Sequence, residues 1–232
     1  MGARLIAIAA AGVMSLAASA AIAAAAPTWA EAPTYADAQA VYPTRAKAEH
    51  VAGSAVMSCT VTMNGHLSDC AAIASQPEGM GFDDAAHRLT PKFRAELGGG
   101  VRSGSEVRFT VGFAPQMAGG GPALERNITW AALPAISDFQ ASFPKSENGV
   151  NHVRVVMDCS VGAGGSLAGC GVESEEPSGQ GYGAGALALA PKIRVGLLTA
   201  DGVPTVGARV QVPIRYELTP QAQADASAKP KS

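Results

Sequence analysis

Val56–Arg94 reads VMSCTVTMNGHLSDCAAIASQPEGMGFDDAAHRLTPKFR, and Val156–Arg194 reads VMDCSVGAGGSLAGCGVESEEPSGQGYGAGALALAPKIR. At a constant offset of 100, Met57, Cys59, Val61, Gly65, Leu67, Cys70, Pro77, Gly79, Gly81, Ala86, Leu89, Pro91, Lys92 and Arg94 recur without a gap. A match of this length, cysteines included, is the mark of one supersecondary unit used twice. The repeat extends in both directions. Upstream, Thr28, Trp29, Ala30, Pro33, Asp37, Gln39, Ala40, Tyr42 and Pro43 return at an offset of 101 as Thr129, Trp130, Ala131, Pro134, Asp138, Gln140, Ala141, Phe143 and Pro144. Downstream, Val107, Phe109, Val111 and Phe113 match Val210, Val212, Ile214 and Tyr216 at an offset of 103, the extra residues falling in the preceding loop. The units therefore span 28–113 and 129–218. Residues 114–127, with a Gly-Gly-Gly-Pro stretch, read as a flexible linker.

Within a unit the apolar period changes. Met57, Cys59, Val61 and Met63 alternate with polar residues, which predicts a strand with one buried face. Asn64-Gly65, and Gly164-Gly165 in the second copy, suit a tight hairpin turn. Symmetry about that pair sets Cys59 opposite Cys70 and Cys159 opposite Cys170, within reach of a disulfide. Leu67 and Cys70 cannot both face inward under strict alternation, so a bulge or longer loop is expected near Ser68 and Asp69. After the hairpin, Phe82, Ala86, Leu89 and Phe93 fall at helical spacing, as do Tyr182, Ala186, Leu189 and Ile193. Pro91 and Pro191 should kink or restart that helix. The alternating segment at the end of each unit closes the order β-β-α-β. The predicted fold is α+β, each unit a three-stranded antiparallel sheet packed on one helix.

The ends of the chain bear on location. Arg4 precedes an apolar run from Leu5 to Ala26 that ends in small residues, the layout of a cleavable signal peptide over residues 1–26. An uncleaved anchor is the alternative, since the run is long enough to span a bilayer. Four cysteines in an exported chain read as two disulfides. The tail, residues 219–232, is small, polar and Pro-containing, a composition that reads as disorder. Formal charge is −2 and the basic residues are scattered, so there is no electrostatic footprint for nucleic acid.

Candidate chemistry is sparse. A redox role for the cysteines is disfavoured, because redox dithiols sit close in sequence at a helix N-terminus whereas these sit on two strands. His50, His66, His87 and His152 do not recur at aligned positions, so no metal site is expected. Gly179, Gly181, Gly183 and Gly185 before a helix suggest a phosphate cradle, but the preceding element is a hairpin rather than a parallel β-α-β unit. Asp83 and Asp84 in the first copy would also repel phosphate. Lys92, Arg94, Lys192 and Arg194 are the recurring cations, read either as helix C-terminal charges or as an anionic contact. Trp29 and Trp130 read as packing residues. No catalytic constellation stands out, and no enzyme activity, cofactor or nucleic acid is expected.

The Tyr-Pro and Phe-Pro starts (Tyr42-Pro43, Phe143-Pro144), the alternating strand, the Gly turn, the Ala-Leu helix and the closing Val210–Tyr216 segment resemble the C-terminal domain of TonB-type energy transducers. The pair of hairpin cysteines is similar to a cysteine-containing branch of that family. The resemblance covers both units and implies a periplasmic domain that grips a partner by pairing its sheet with an extended segment. The chain departs from a full transducer. Pro27–Tyr42 spans at most ~55 Å extended, the apolar run holds no titratable group for proton coupling, and the domain is doubled. The reading is a non-enzymatic periplasmic binding or scaffolding protein whose partner is an envelope protein or peptide segment. An accessory energy transducer with a retained inner-membrane anchor is the alternative. The last strand of each unit should lie at a sheet edge, where unpaired backbone invites another strand. Pro213 blunts that edge in the second unit, whereas Thr110 keeps the donor in the first. Val107, Phe109, Val111 and Phe113 therefore mark the expected docking edge, unless the two units pair edge to edge, and Val111→Pro is the substitution expected to disrupt capture.

Overall fold

Residues 27–142 and 152–217 are described by the structure, a computed structural model. The apolar run expected to be a signal peptide, the Phe143-Pro144 step and the tail lie outside the described residues. The first unit contains β1 (Trp29–Glu31), α1 (Tyr35–Ala40), α2 (Thr44–Ala48), β2 (Gly53–Val61), β3 (Leu67–Gln76), α3 (Phe82–Leu89), β4 (Arg94–Ala95) and β5 (Glu106–Phe113). After β6 (Leu124–Glu125), the second contains β7 (Ile128–Ala132), α4 (Ile136–Ser142), β8 (His152–Val161), β9 (Leu167–Glu176), α5 (Tyr182–Leu189), β10 (Arg194–Thr199) and β11 (Arg209–Glu217). The fold is α+β. β2 lies between β3 and β5, and β8 between β9 and β11, every one of these pairs antiparallel.

The alternation buries what it was expected to bury. Ala55, Met57, Cys59 and Val61 on β2 and Val107, Val111 and Phe113 on β5 form one face, closed by Phe82, Ala86 and Leu89 of α3. Val155, Met157, Cys159, Val210, Val212, Tyr182, Ala186 and Leu189 do the same in the second unit. Each helix ends at its leucine and passes into a 3-10 turn, Thr90–Lys92 or Ala190–Lys192, because the proline withholds an N–H from the α ladder. The bulge also falls where the packing conflict demanded it. The β2–β3 register shifts between Ser58 and Thr60, and Asp69 takes φ +49°; Gly169 takes φ +58° at the matching place. The extra residue turns Cys70 back toward Cys59, giving disulfides Cys59–Cys70 and Cys159–Cys170 with Cα separations of 4.1 Å.

Four features depart from expectation. The hairpin turn is not a two-residue turn: β2 stops at Val61 and β3 begins at Leu67, with Thr62 N–H donating to His66 O and Gly65 N–H to Thr62 O. The reason is tertiary. The turn packs on β4, where Ala95 N–H donates to Gly65 O, and a Cβ on Gly65 (φ +80°) would lie 2.4 Å from Ala95 O. Second, β1 pairs with β4 and β7 with β10, two small sheets too short for a periodic signal. Third, residues 114–127 are no flexible linker. Pro115–Gly119 form a 3-10 turn that buries Met117 and Ala118 in the first core, and Gln39 Nε2 donates to Gly121 O at 2.9 Å. Fourth, β6 pairs in parallel with β11 at Arg209 and Val210, so the second sheet has four strands rather than three.

The loop from Ala200 to Ala208 joins the halves. It holds the length difference between the copies, and Val203 and Ala208 lie in the core of the first unit. Gly112 N–H donates to Gly202 O at 2.9 Å and Tyr35 N–H to Val206 O at 2.8 Å. Gly202 (φ +81°) is required there, since a Cβ would stand 2.2 Å from Thr110 O.

Candidate functional site

β5 is an edge strand of its sheet, and its ladder has a definite phase. Val61 N–H donates to Ser105 O, so by the two-residue alternation of antiparallel pairs the amides of Val107, Phe109, Val111 and Phe113 point at β2. Those of Glu106, Arg108, Thr110 and Gly112 point away from it. The side chains of Val107, Phe109, Val111 and Phe113 are buried as well. These four residues thus set the phase of the edge, while the outward backbone belongs to their neighbours. The Val111 amide faces Ala55, so proline there would break the sheet itself, and the expected test position moves to Thr110.

The outward row is half covered. Gly112 is bonded to Gly202, which brings part of the second unit against this edge. From Arg108 to Thr110 the edge opens into a cleft of about 800 Å³ between the halves, with Trp29, Arg108 and Thr110 on one wall and Trp130, Val195 and Leu198 on the other. A larger cleft, about 1160 Å³, lies beyond the Gly112 contact and is lined by Ser54, Gln76, Asn127 and Asp201.

The two tryptophans, alike in sequence, differ in place. Trp29 packs against Phe93 and Phe109, with ring centroids 4.6 and 4.8 Å away. Ile193 and Val212 occupy the corresponding positions of the second unit and offer no aromatic partner. Trp130 is 41% exposed, so for this residue the expectation of a packed side chain is corrected.

The recurring cations have partners within the chain. Lys92 Nζ lies 3.0 Å from Asp37, which also completes the capping box on Thr34, and Lys192 pairs with the matching Asp138. That pairing holds the Asp138 carboxyl below the usual carboxylate range. Arg94 binds Glu31, and Arg194 donates to the carbonyls of Pro191 and Ile193. The glycine-rich turn before α5 is occupied by the chain's own anion. Glu175 accepts from the N–H groups of Gln180, Tyr182 and Gly183 at 3.0–3.1 Å. Sequence reasoning missed this carboxylate. A Glu two residues before the Pro of that turn was its only trace, and Ser75 stands there in the first copy.

Glu125 was missed too. It sits on the two-residue strand β6, 6% exposed, and neither its Oε1 nor the buried Tyr35 hydroxyl has a hydrogen-bond partner. Burial pushes the Glu125 carboxyl up, and burial together with the Glu125 charge pushes the Tyr35 hydroxyl up. A carboxyl whose pKa is raised on folding destabilises the folded state when ionised, so its penalty is relieved as pH falls toward the ordinary value of 4.5. Glu125→Gln is expected to stabilise the chain by on the order of 1 kcal/mol at pH 8, the advantage shrinking by pH 5. Urea denaturation of both proteins across that range checks it.

Among the described residues no helix is long and apolar enough to cross a membrane. The two disulfides suit an oxidising compartment outside the cytoplasm. No family model matches the chain. An uncharacterized protein of Caulobacter vibrioides is 35% identical over 63 residues, 27% of this chain. The match spans 63% of that relative, less than two thirds of its length, and its whole length is therefore about 100 residues, close to that of one unit.

Proposed function

We propose that this protein is a non-enzymatic binding or scaffolding module of the periplasm that captures an extended segment of an envelope protein by strand addition to β5. The observation that carries the reading is the outward backbone of Arg108 and Thr110, unpaired by any strand and opening into a cleft of about 800 Å³. The resemblance to TonB-type C-terminal domains supports the same mode of capture. Gly202 limits docking to this stretch by closing the far end of the edge.

Thr110→Pro tests it. The substitution removes an outward N–H and leaves the β2 ladder whole, and Pro213 already occupies the matching position of β11. A photo-crosslinking residue placed at Arg108 in intact envelopes is expected to give a defined adduct. In the Thr110→Pro background the adduct should fall about tenfold or more, the worth of a lost ladder bond plus ring clash, with the thermal midpoint little changed. Equal adduct in both backgrounds would reject strand addition.

A further inference from the structure

The outer face of the second sheet carries an unexplained concentration of charge. Arg154 on β8 and Arg215 on β11 are direct cross-strand partners on one exposed face, an arrangement that costs stability rather than adding it. Neither makes an ion pair or side-chain hydrogen bond among the described residues, and nor does the exposed Arg126. Arg209, on the same face, is satisfied by Asp158. Glu176 faces Arg154 from β9 without closing an ion pair, and Glu173 is held by Gln211 Nε2 at 2.6 Å.

Arg126 and Arg154 line a groove of about 640 Å³ whose floor is Val156 and Pro213 and whose flank is Trp130. The groove exists because β6 pairs with β11 only as far as Val210, after which the chain turns off toward β7. Pro213 has no N–H to extend the pairing or to accept an added strand. Its volume lies within the usual range for small-molecule sites. Trp130 supplies a flat apolar face, Asn127 and Ser174 supply polar groups, and Arg126 and Arg154 supply forked donors that match a carboxylate; Glu173 also lines the groove, its carboxylate taken by the Gln211 amide.

We propose that this groove is a binding site for an acidic saccharide, the sugar ring lying on Trp130 and its carboxylate held by Arg154 and Arg126, with Arg215 beside Arg154 but outside the lining. The anion removes the repulsion between the facing arginines. The site is separate from the β5 edge and does not depend on its role, although Trp130 stands on the ridge between groove and cleft.

The test uses the full oxidised chain and a tetrasaccharide of alternating glucuronic acid and N-acetylglucosamine, read by calorimetry and by tryptophan fluorescence. Trp29 is enclosed by two phenylalanines, so Trp130 is the reporter. Saturable binding is expected, weakened about tenfold by Arg154→Gln or Arg126→Gln and about tenfold by reducing the carboxylates to alcohols. Trp130→Ala should abolish the fluorescence change. Arg102→Gln, in the first unit, should leave binding unaltered, as should Thr110→Pro, which separates this site from the docking edge. Arg215→Gln should hold or raise the thermal midpoint, an outcome that a merely structural role for Arg215 would not produce. No saturation by about 10 mM, equal affinity for the carboxyl-reduced sugar, or tighter binding of a hexaglutamate peptide would each overturn the proposal.

Discussion

Val203→Asp is expected to destabilise the chain by about 3–4 kcal/mol, the cost of forcing a charge into an apolar core without a partner. Val203 is 7% exposed and belongs to the core of the first unit although it lies in the sequence of the second. The carbonyls of Gly202 and Val206 in the same loop accept from the N–H groups of Gly112 and Tyr35, so the substitution also loosens two hydrogen bonds across the junction. In urea the variant should lose the first unit at lower denaturant than the second, turning one transition into two. Ile136→Asp is the control: Ile136 is 79% exposed at the start of α4, and its replacement should stay within about 0.5 kcal/mol. A Val203→Asp chain that unfolds in a single step at the wild-type midpoint would show that the halves fold without reference to each other.

The second large effect concerns the hairpin bonds. Cys59 and Cys70 are 11 residues apart, and a cross-link closing a loop of that size lowers unfolded-chain entropy by an amount worth about 3 kcal/mol. The Cys59→Ala, Cys70→Ala chain is therefore expected to lose about 3 kcal/mol, and Cys159→Ala, Cys170→Ala a similar amount. All four cysteines are bonded, so thiol titration of the native protein should find no reactive sulfhydryl. Peptide mapping should recover both links within their own hairpins. A double variant as stable as the wild type would mean that the hairpin is already formed in the unfolded chain.

Glu125 and Val203 show where sequence reading stops. Both do their work at a contact between segments about 80 or more residues apart, and neither belongs to a periodic pattern. Three glycines in a row signal chain freedom, which is why the segment around them read as a linker. Met117 and Gln39 instead fasten it to the first unit. Trp130 carries the same sequence signal as Trp29 but is exposed, and Ile193 and Val212 stand where the first unit has the two phenylalanines that enclose Trp29. The β5 edge was legible as a strand at the border of its sheet. The phase of its amides was not, because phase depends on which partner strand takes the first hydrogen bond.

By itself the sequence determined the local alternation, the helix and its proline stop, the bulge beside Asp69 and the pairing of the cysteines. These follow from short-range periodicity and from two copies that check each other. Only the tertiary structure decided that β6 joins the second sheet, that the Ala200–Ala208 loop completes the first core, and that Glu175 takes the helix terminus. Such contacts are set by shape and burial between distant segments, and a residue's own neighbours in the chain carry no record of them.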